Sequence, residues 1–136
     1  MQNPPPVQTA KSSTGLDENI AALLSYVATW VSGLIFFLIE KDSRLVRFHA
    51  MQSILLSGTV IVLGTVLWIG WIVLALIFSQ VSDILASLVS LVMGLLLLAV
   101  WLGFLIAIVM CLIKAYQKQF FKVPVIGNFA EKFSAK

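Results

Sequence analysis

The sequence predicts an all-α integral membrane protein with three transmembrane helices, and three observations carry that expectation. Hydrophobic residues make up 60% of the chain and charged residues only 11%, with a mean hydropathy of +1.04. A water-soluble chain of this size needs more polar surface, so the excess apolar surface must face lipid. The charges are swept into short clusters that leave residues 20–39, 48–80 and 84–113 without any. A bilayer core takes about 20 helical residues, so each run is long enough to cross it.

The first segment, MQNPPPVQTAKSSTG, is rich in Pro, Ser, Thr and Gln and has no apolar period, so residues 1–15 are expected to form a disordered polar leader. Its polar start does not have the form of a cleavable secretory signal. Residues 16–113 are then one membrane domain. Its first helix, 20–39, is expected to be a plain crossing and an uncleaved anchor.

Helix two is placed over 48–79, with Asp42 or Ser43 as cap and an interfacial start. There Arg44 and Arg47 reach phosphates while Leu45, Val46 and Phe48 enter the acyl region. Helix three is placed over 84–113. Its middle, SLVMGLLLLAVWLG, has only lone glycines, which membrane helices tolerate, so the run is not divided into two crossings. Residues 114–136 form a basic, amphipathic cytoplasmic tail. In it Pro124 stops the helix, and Asn128 with Glu131 has the spacing of a capping box that starts a last short helix.

Lys and Arg near span ends are retained in the cytoplasm. Lys41, Arg44 and Arg47 follow the first run, and Lys114, Lys118 and Lys122 follow the third, with Lys132 and Lys136 beyond. With three crossings these groups share a side, which puts the N-terminus outside and the C-terminus in the cytoplasm of a prokaryotic cell. The same six flanking bases are the candidate membrane-surface residues, with the bilayer and anionic lipid headgroups as partners.

Within the spans, small and weakly polar residues mark packing faces, because helices in lipid associate by close approach and hydrogen bonds. Ser25, Thr29 and Gly33 are expected to pack in helix one, and Ser90, Gly94 and Gly103 in helix three. The stretch RFHAMQS, residues 47–53, sets His49, Gln52 and Ser53 one turn inside the interface, with Ser57 four residues on. Together with Ser32 across a tight antiparallel connection, they are expected to form either a clasp between helices or a polar notch for a headgroup or a passing peptide. For the clasp, the anticipated partners of His49 and Gln52 are Ser32, Tyr116 or a carbonyl at the end of helix one.

Catalysis and metal binding find no support. One Cys and one His cannot make a metal cluster. No carboxylate pair lies in a span, and Glu40 and Asp42 sit among bases, where solvated ion pairing is the plain reading. No cofactor is expected. A net charge of +3, with bases flanking spans, gives no nucleic-acid footprint.

The segments LDENIAALLSY, FFLIEKDSRLVRFHAMQSILL and IKAYQKQFFKVPVIGNFAEK resemble a family of small prokaryotic membrane proteins of unassigned function. That family is related to the twenty-kilodalton membrane subunit of the chloroplast inner-envelope protein-import translocon. The likeness runs from Leu16 to Lys132 and implies a compact helical membrane domain without catalytic residues. It also implies a non-enzymatic role assisting insertion, assembly or translocation of polypeptides, with a membrane-protein or nascent-chain partner. The chloroplast subunit is described with four crossings against three here. Two other classes stay open from the residues: a small transporter or channel, which three helices could form only as a homo-oligomer, and a structural or lipid-organising protein.

Overall fold

The computed structural model describes residues 10–135, and the expectation for residues 1–9 lies outside them. Five helices follow one another: α1 (Glu18–Val27), α2 (Trp30–Ile39), α3 (Arg44–Ser79), α4 (Asp83–Tyr116) and α5 (Ile126–Ser134). All the regular structure among the described residues is helical apart from one isolated bridge, Lys11 with Asp17.

The expected first crossing is not one continuous helix. Residues 20–39 do not form one helix, because the chain breaks at Ala28 and Thr29, and α1 and α2 have 10 residues each. At 1.5 Å per residue each is about 15 Å long, half of a hydrocarbon core. Thr29 sits at φ 52, a conformation a β-branched residue rarely adopts. Neighbouring hydroxyls hold it there. Ser53 Oγ donates to the Thr29 carbonyl at 2.8 Å, and the Ser32 hydroxyl accepts from Ala28 N at 3.0 Å and donates to the Ser25 carbonyl at 3.0 Å.

The two ends of this broken helix meet. Ser13, before α1, donates from its backbone N and hydroxyl to the Glu40 carboxylate after α2, at 3.0 and 2.8 Å. The Ser43 hydroxyl donates to Glu18. The pair is a helical hairpin that returns to its starting level, so two helices, α3 and α4, are long and apolar enough to cross a membrane. Residues 10–15 likewise form a bonded turn with Ser12 buried, where a disordered leader was expected.

Two compact units divide the chain. The first takes residues up to 55 and from 108 onward. Its core joins Ala21, Ala22 and Tyr26 of α1, Leu45 and Val46 of α3, and Cys111 and Ala115 of α4. Gly33 lets α2 lie against α3, since an added Cβ would come within 2.9 Å of the Ala50 carbonyl oxygen. Arg47 ties the unit together: it donates to the Glu40 carbonyl at 2.8 Å and lies 4.6 Å from the centre of the Phe37 ring.

Helix α5 starts at Ile126, two residues before the expected Asn128, so the Asn128–Glu131 spacing does not cap it. Glu131 instead pairs with Lys122 at 2.6 Å. Gly127, Ala130 and Ser134 face inward, at the spacing of one helical stripe.

The second unit, Leu56–Ala107, consists of the remaining lengths of α3 and α4 joined at 80–82. Its side chains are mostly apolar and exposed, among them Ile61, Val62, Trp68, Leu95 and Trp101, as a lipid-facing pair of helices requires. Trp71 donates its indole N–H to Ser90 Oγ at 3.1 Å, a polar link between the two helices here. A Cβ added at Gly94 or Gly103 would meet nothing within 4 Å among the described residues.

Candidate functional site

His49, Gln52 and Ser53 lie on one face of α3 at the start of a helix that keeps its side chains pointing back toward its N-terminus. All three are fully buried. Ser53 belongs to the Thr29 break described above. His49 and Gln52 turn toward Tyr26 of α1 and toward the segment that follows α4.

The bonds form one consistent chain. The Gln119 carbonyl can only accept, so His49 Nε2, 2.9 Å away, carries the proton. The neutral ring then accepts at Nδ1 from the Tyr26 hydroxyl, 2.9 Å away. The Tyr26 oxygen in turn accepts from Gln52 Nε2 at 3.1 Å. The same amide nitrogen donates to the Phe121 carbonyl at 3.0 Å and lies 3.2 Å from Cys111 Sγ, while Gln52 Oε1 accepts from Val123 N at 3.3 Å.

The tail offers α3 backbone groups at 119, 121 and 123, and a bond from Phe121 N to the Gln119 carbonyl at 3.0 Å turns the chain between the first two. The ring of Tyr26 stands edge-on to that of His49, with centroids 5.7 Å apart, and Phe48 packs against His49 and Phe120. Buried polar groups need partners, and here each has one within its own unit. The anticipated partners are replaced: Tyr116 is 57% exposed, and Ser32 serves the α1–α2 break.

Other candidate residues separate from this cluster. Ser57 is buried, and its hydroxyl has no hydrogen-bond partner among the described residues. Ser25 donates to the Ala21 carbonyl of its own helix at 3.0 Å. Among the bases, Lys41, Arg44 and Lys122 are exposed, while Arg47, Lys114 and Lys118 are half-buried.

The sequence reading missed Glu40, Tyr26 and the backbone of 119–123. Glu40 is buried and forms no ion pair among the described residues, contrary to a solvated role amid bases. Burial pushes its carboxyl up, but the Ser12 hydroxyl, the Ser43 and Ser13 backbone N–H groups and the Ser13 hydroxyl outweigh this and hold it at about 2. For Tyr26 the available signal was a phenol inside an otherwise apolar run, which needs a partner when buried.

No group of three or more His, Cys, Asp or Glu able to hold a metal occurs among the described residues. The arrangement can brace helices against a tail.

The chain is similar to UPF0132 membrane proteins of two archaea. One from Methanocaldococcus jannaschii is 40% identical over 124 residues, covering 91% of this chain and 94% of that protein. One from Archaeoglobus fulgidus is 36% identical over 117 residues, covering 86% and 95%. No solved structure matches the chain. These likenesses support a small prokaryotic membrane family and show no link to the chloroplast translocon subunit. The family model for the magnetosome magnetite crystal formation proteins matches residues 16–130, and the chain belongs to that MamF/MmsF family of membrane proteins.

Proposed function

We propose that the protein is a non-enzymatic membrane scaffold: α3 and α4 anchor it by two crossings, and the unit built from α1, α2, α5 and the basic helix ends lies at the cytoplasmic surface. The observation that carries this reading is the closed hydrogen-bond chain through Tyr26, His49 and Gln52, which ends on the protein's own tail. A notch for a client helix needs those groups free. The reading in which the protein assists polypeptide insertion or translocation, and any docking of a nascent chain at Gln52, therefore has the resemblance alone behind it. A full-depth transport path has no polar lining in the outer half of α3, where Trp68, Ile69, Ile72 and Val73 are exposed. From the family's description only a membrane setting is carried over.

Two crossings also resolve the charge distribution. Every Lys and Arg of the sequence precedes Phe48 or follows Ile113, and the 80–83 connection carries one acid and no base. With Ser13 held at Glu40, Lys11 joins the other bases at one end, in accord with the positive-inside rule. Both termini are then cytoplasmic, in place of an N-terminus outside.

Cysteine labelling in a Cys111→Ala background tests this. Lys11→Cys and Ala135→Cys should react only from the cytoplasmic side and Ser82→Cys only from outside. Reaction of Lys11→Cys and Ala135→Cys from opposite sides would restore three crossings. For the function, a photocrosslinker at exposed Phe120, beside the clasp, should capture lipid or the protein itself; nascent chains captured there, and not at Leu97, would return the insertion reading to first place.

A further inference from the structure

The first turn of α3 and the C-terminal end of α5 border a cleft of about 470 Å³ lined by Lys41, Asp42, Arg44, Arg47, Ser134 and Ala135. A second cleft of about 300 Å³ shares Arg44 and Ser134 with it and adds Phe48, Phe120 and Glu131. We propose that the paired clefts bind a phosphodiester through Lys41 and Arg44, and that the membrane supplies it as the headgroup of an anionic phospholipid.

Three features favour this occupant. The three bases in the first cleft outnumber its one acid. The nearby acids are engaged: Asp42 and Glu40 share the one Ser13 hydroxyl proton, at 2.7 and 2.8 Å, Glu131 pairs with Lys122 at 2.6 Å, and Glu40 takes further donors from the backbone N–H groups of Ser13, Asp42 and Ser43. The side chains of Lys41 and Arg44 are exposed and make no hydrogen bond or ion pair among the described residues.

The walls are fixed from within. Arg47 donates to the Ser134 carbonyl at 3.4 Å and to the Glu40 carbonyl at 2.8 Å, which sets α5 against the start of α3. Arg47 is thus a positioning residue, and Lys41 and Arg44 are the binding ones. Phe48 and Phe120, with ring centroids 5.4 Å apart, make the second cleft partly apolar, as the glycerol and upper acyl part of a lipid requires and a free phosphate does not. Guanidinium and ammonium groups suit the two halves of the task, the fork for two phosphate oxygens and the point charge for the net charge.

This inference rests on a membrane surface at this end of α3, which the labelling experiment tests separately; the measurement below is made in detergent and needs no orientation. The full chain is purified, and phosphatidylglycerol or phosphatidylcholine is titrated into it, with bound lipid counted by native mass spectrometry. Phosphatidylglycerol should bind in preference to phosphatidylcholine. Lys41→Gln with Arg44→Gln should weaken that binding roughly 30-fold, the effect of two bases at a lipid surface. Lys118→Gln with Lys132→Gln, the same charge loss outside the clefts, should leave it nearly unchanged. Equal weakening by both pairs would mean diffuse attraction and overturn the site. Displacement of the lipid by inorganic phosphate at similar concentration would assign the clefts to free phosphate and overturn the lipid source. Circular dichroism of both double variants checks that they remain folded.

Discussion

Gln52→Leu separates a closed clasp from an idle polar side chain. Leucine keeps most of the volume, so packing changes little and the cost lies in the bonds. Tyr26 keeps His49 as acceptor, and the thiol of Cys111 is a weak partner, so the loss falls on the Phe121 carbonyl and the Val123 N–H. A net intramolecular bond is worth about 0.5–1.5 kcal/mol in water, and side-chain bonds between membrane helices average about 0.6 kcal/mol. Phe121 and Val123 are half-buried, so water replaces part of what they lose. The expected destabilisation is about 1–3 kcal/mol.

The assay is unfolding in detergent, paired with limited trypsin digestion at Lys118, just before the pinned tail, and at Lys122, within it. Cleavage there should accelerate before the helices melt, because the tail is released first. Ser57→Ala is the control on the same helix. The Ser57 hydroxyl is buried without a partner among the described residues, so its removal should be neutral or stabilise by up to about 1 kcal/mol. A Gln52→Leu protein within about 0.5 kcal/mol of wild type, with unchanged cleavage, would refute the clasp.

Three further outcomes follow from the geometry. Gly33→Ala forces a Cβ to within 2.9 Å of the Ala50 oxygen and 3.1 Å of Ser53 Cβ and should destabilise by about 1–3 kcal/mol, whereas Gly103→Ala enters open space and should stay within about 1 kcal/mol of wild type; thermal melts of both variants check the contrast. Glu40 is held at about 2 against an ordinary 4.5, so its stabilisation is present above pH 4.5 and is lost as pH falls toward 2. It amounts to at most about 3 kcal/mol, less whatever solvent screening removes, and the slope in that window should shrink in Glu40→Gln when melting is followed against pH, leaving the part due to Glu131, which Lys122 also holds below the usual carboxylate range. Thr29→Gly should be tolerated better than Thr29→Val in the same melts, because glycine adopts the φ of 52 without strain and valine does not.

The long helices were legible and the short ones were not. Uncharged runs placed two spans at 48–79 and 84–113, and α3 and α4 occupy Arg44–Ser79 and Asp83–Tyr116. The run 20–39 has the same composition and the right length, and its break carries neither glycine nor proline. What folds it back is distant in sequence: the Ser13 bonds to Glu40 and the Ser53 bond to Thr29. A reading of local composition cannot see either. At the site, the need of His49 and Gln52 for partners was visible in their burial depth, but the partners are mostly backbone groups at 119, 121 and 123, which no side-chain pattern announces. Glycines misled for a related reason. Gly33 and Gly103 look alike in an apolar helix, and only the neighbour across α2 and α3 makes the first one necessary.

The fold-back of α1 and α2 also changes what the charges ask of the membrane. Three crossings would carry Lys11, Asp17 and Glu18 across the bilayer and leave Glu40 as an acid among retained bases. In the hairpin, Glu18 meets Ser43, Glu40 is surrounded by N–H and O–H donors, and Lys11 bridges through its backbone to Asp17. Under the proposed two-span topology, Asp83 is the one charged residue that must cross. A 36-residue α3 is about 54 Å long, well beyond a 30 Å core. Its first turns, carrying Arg44 and Arg47, therefore have length to spare to stand in the headgroup layer, where a clasp of buried hydrogen bonds can be kept dry by packed protein on one side and lipid on the other.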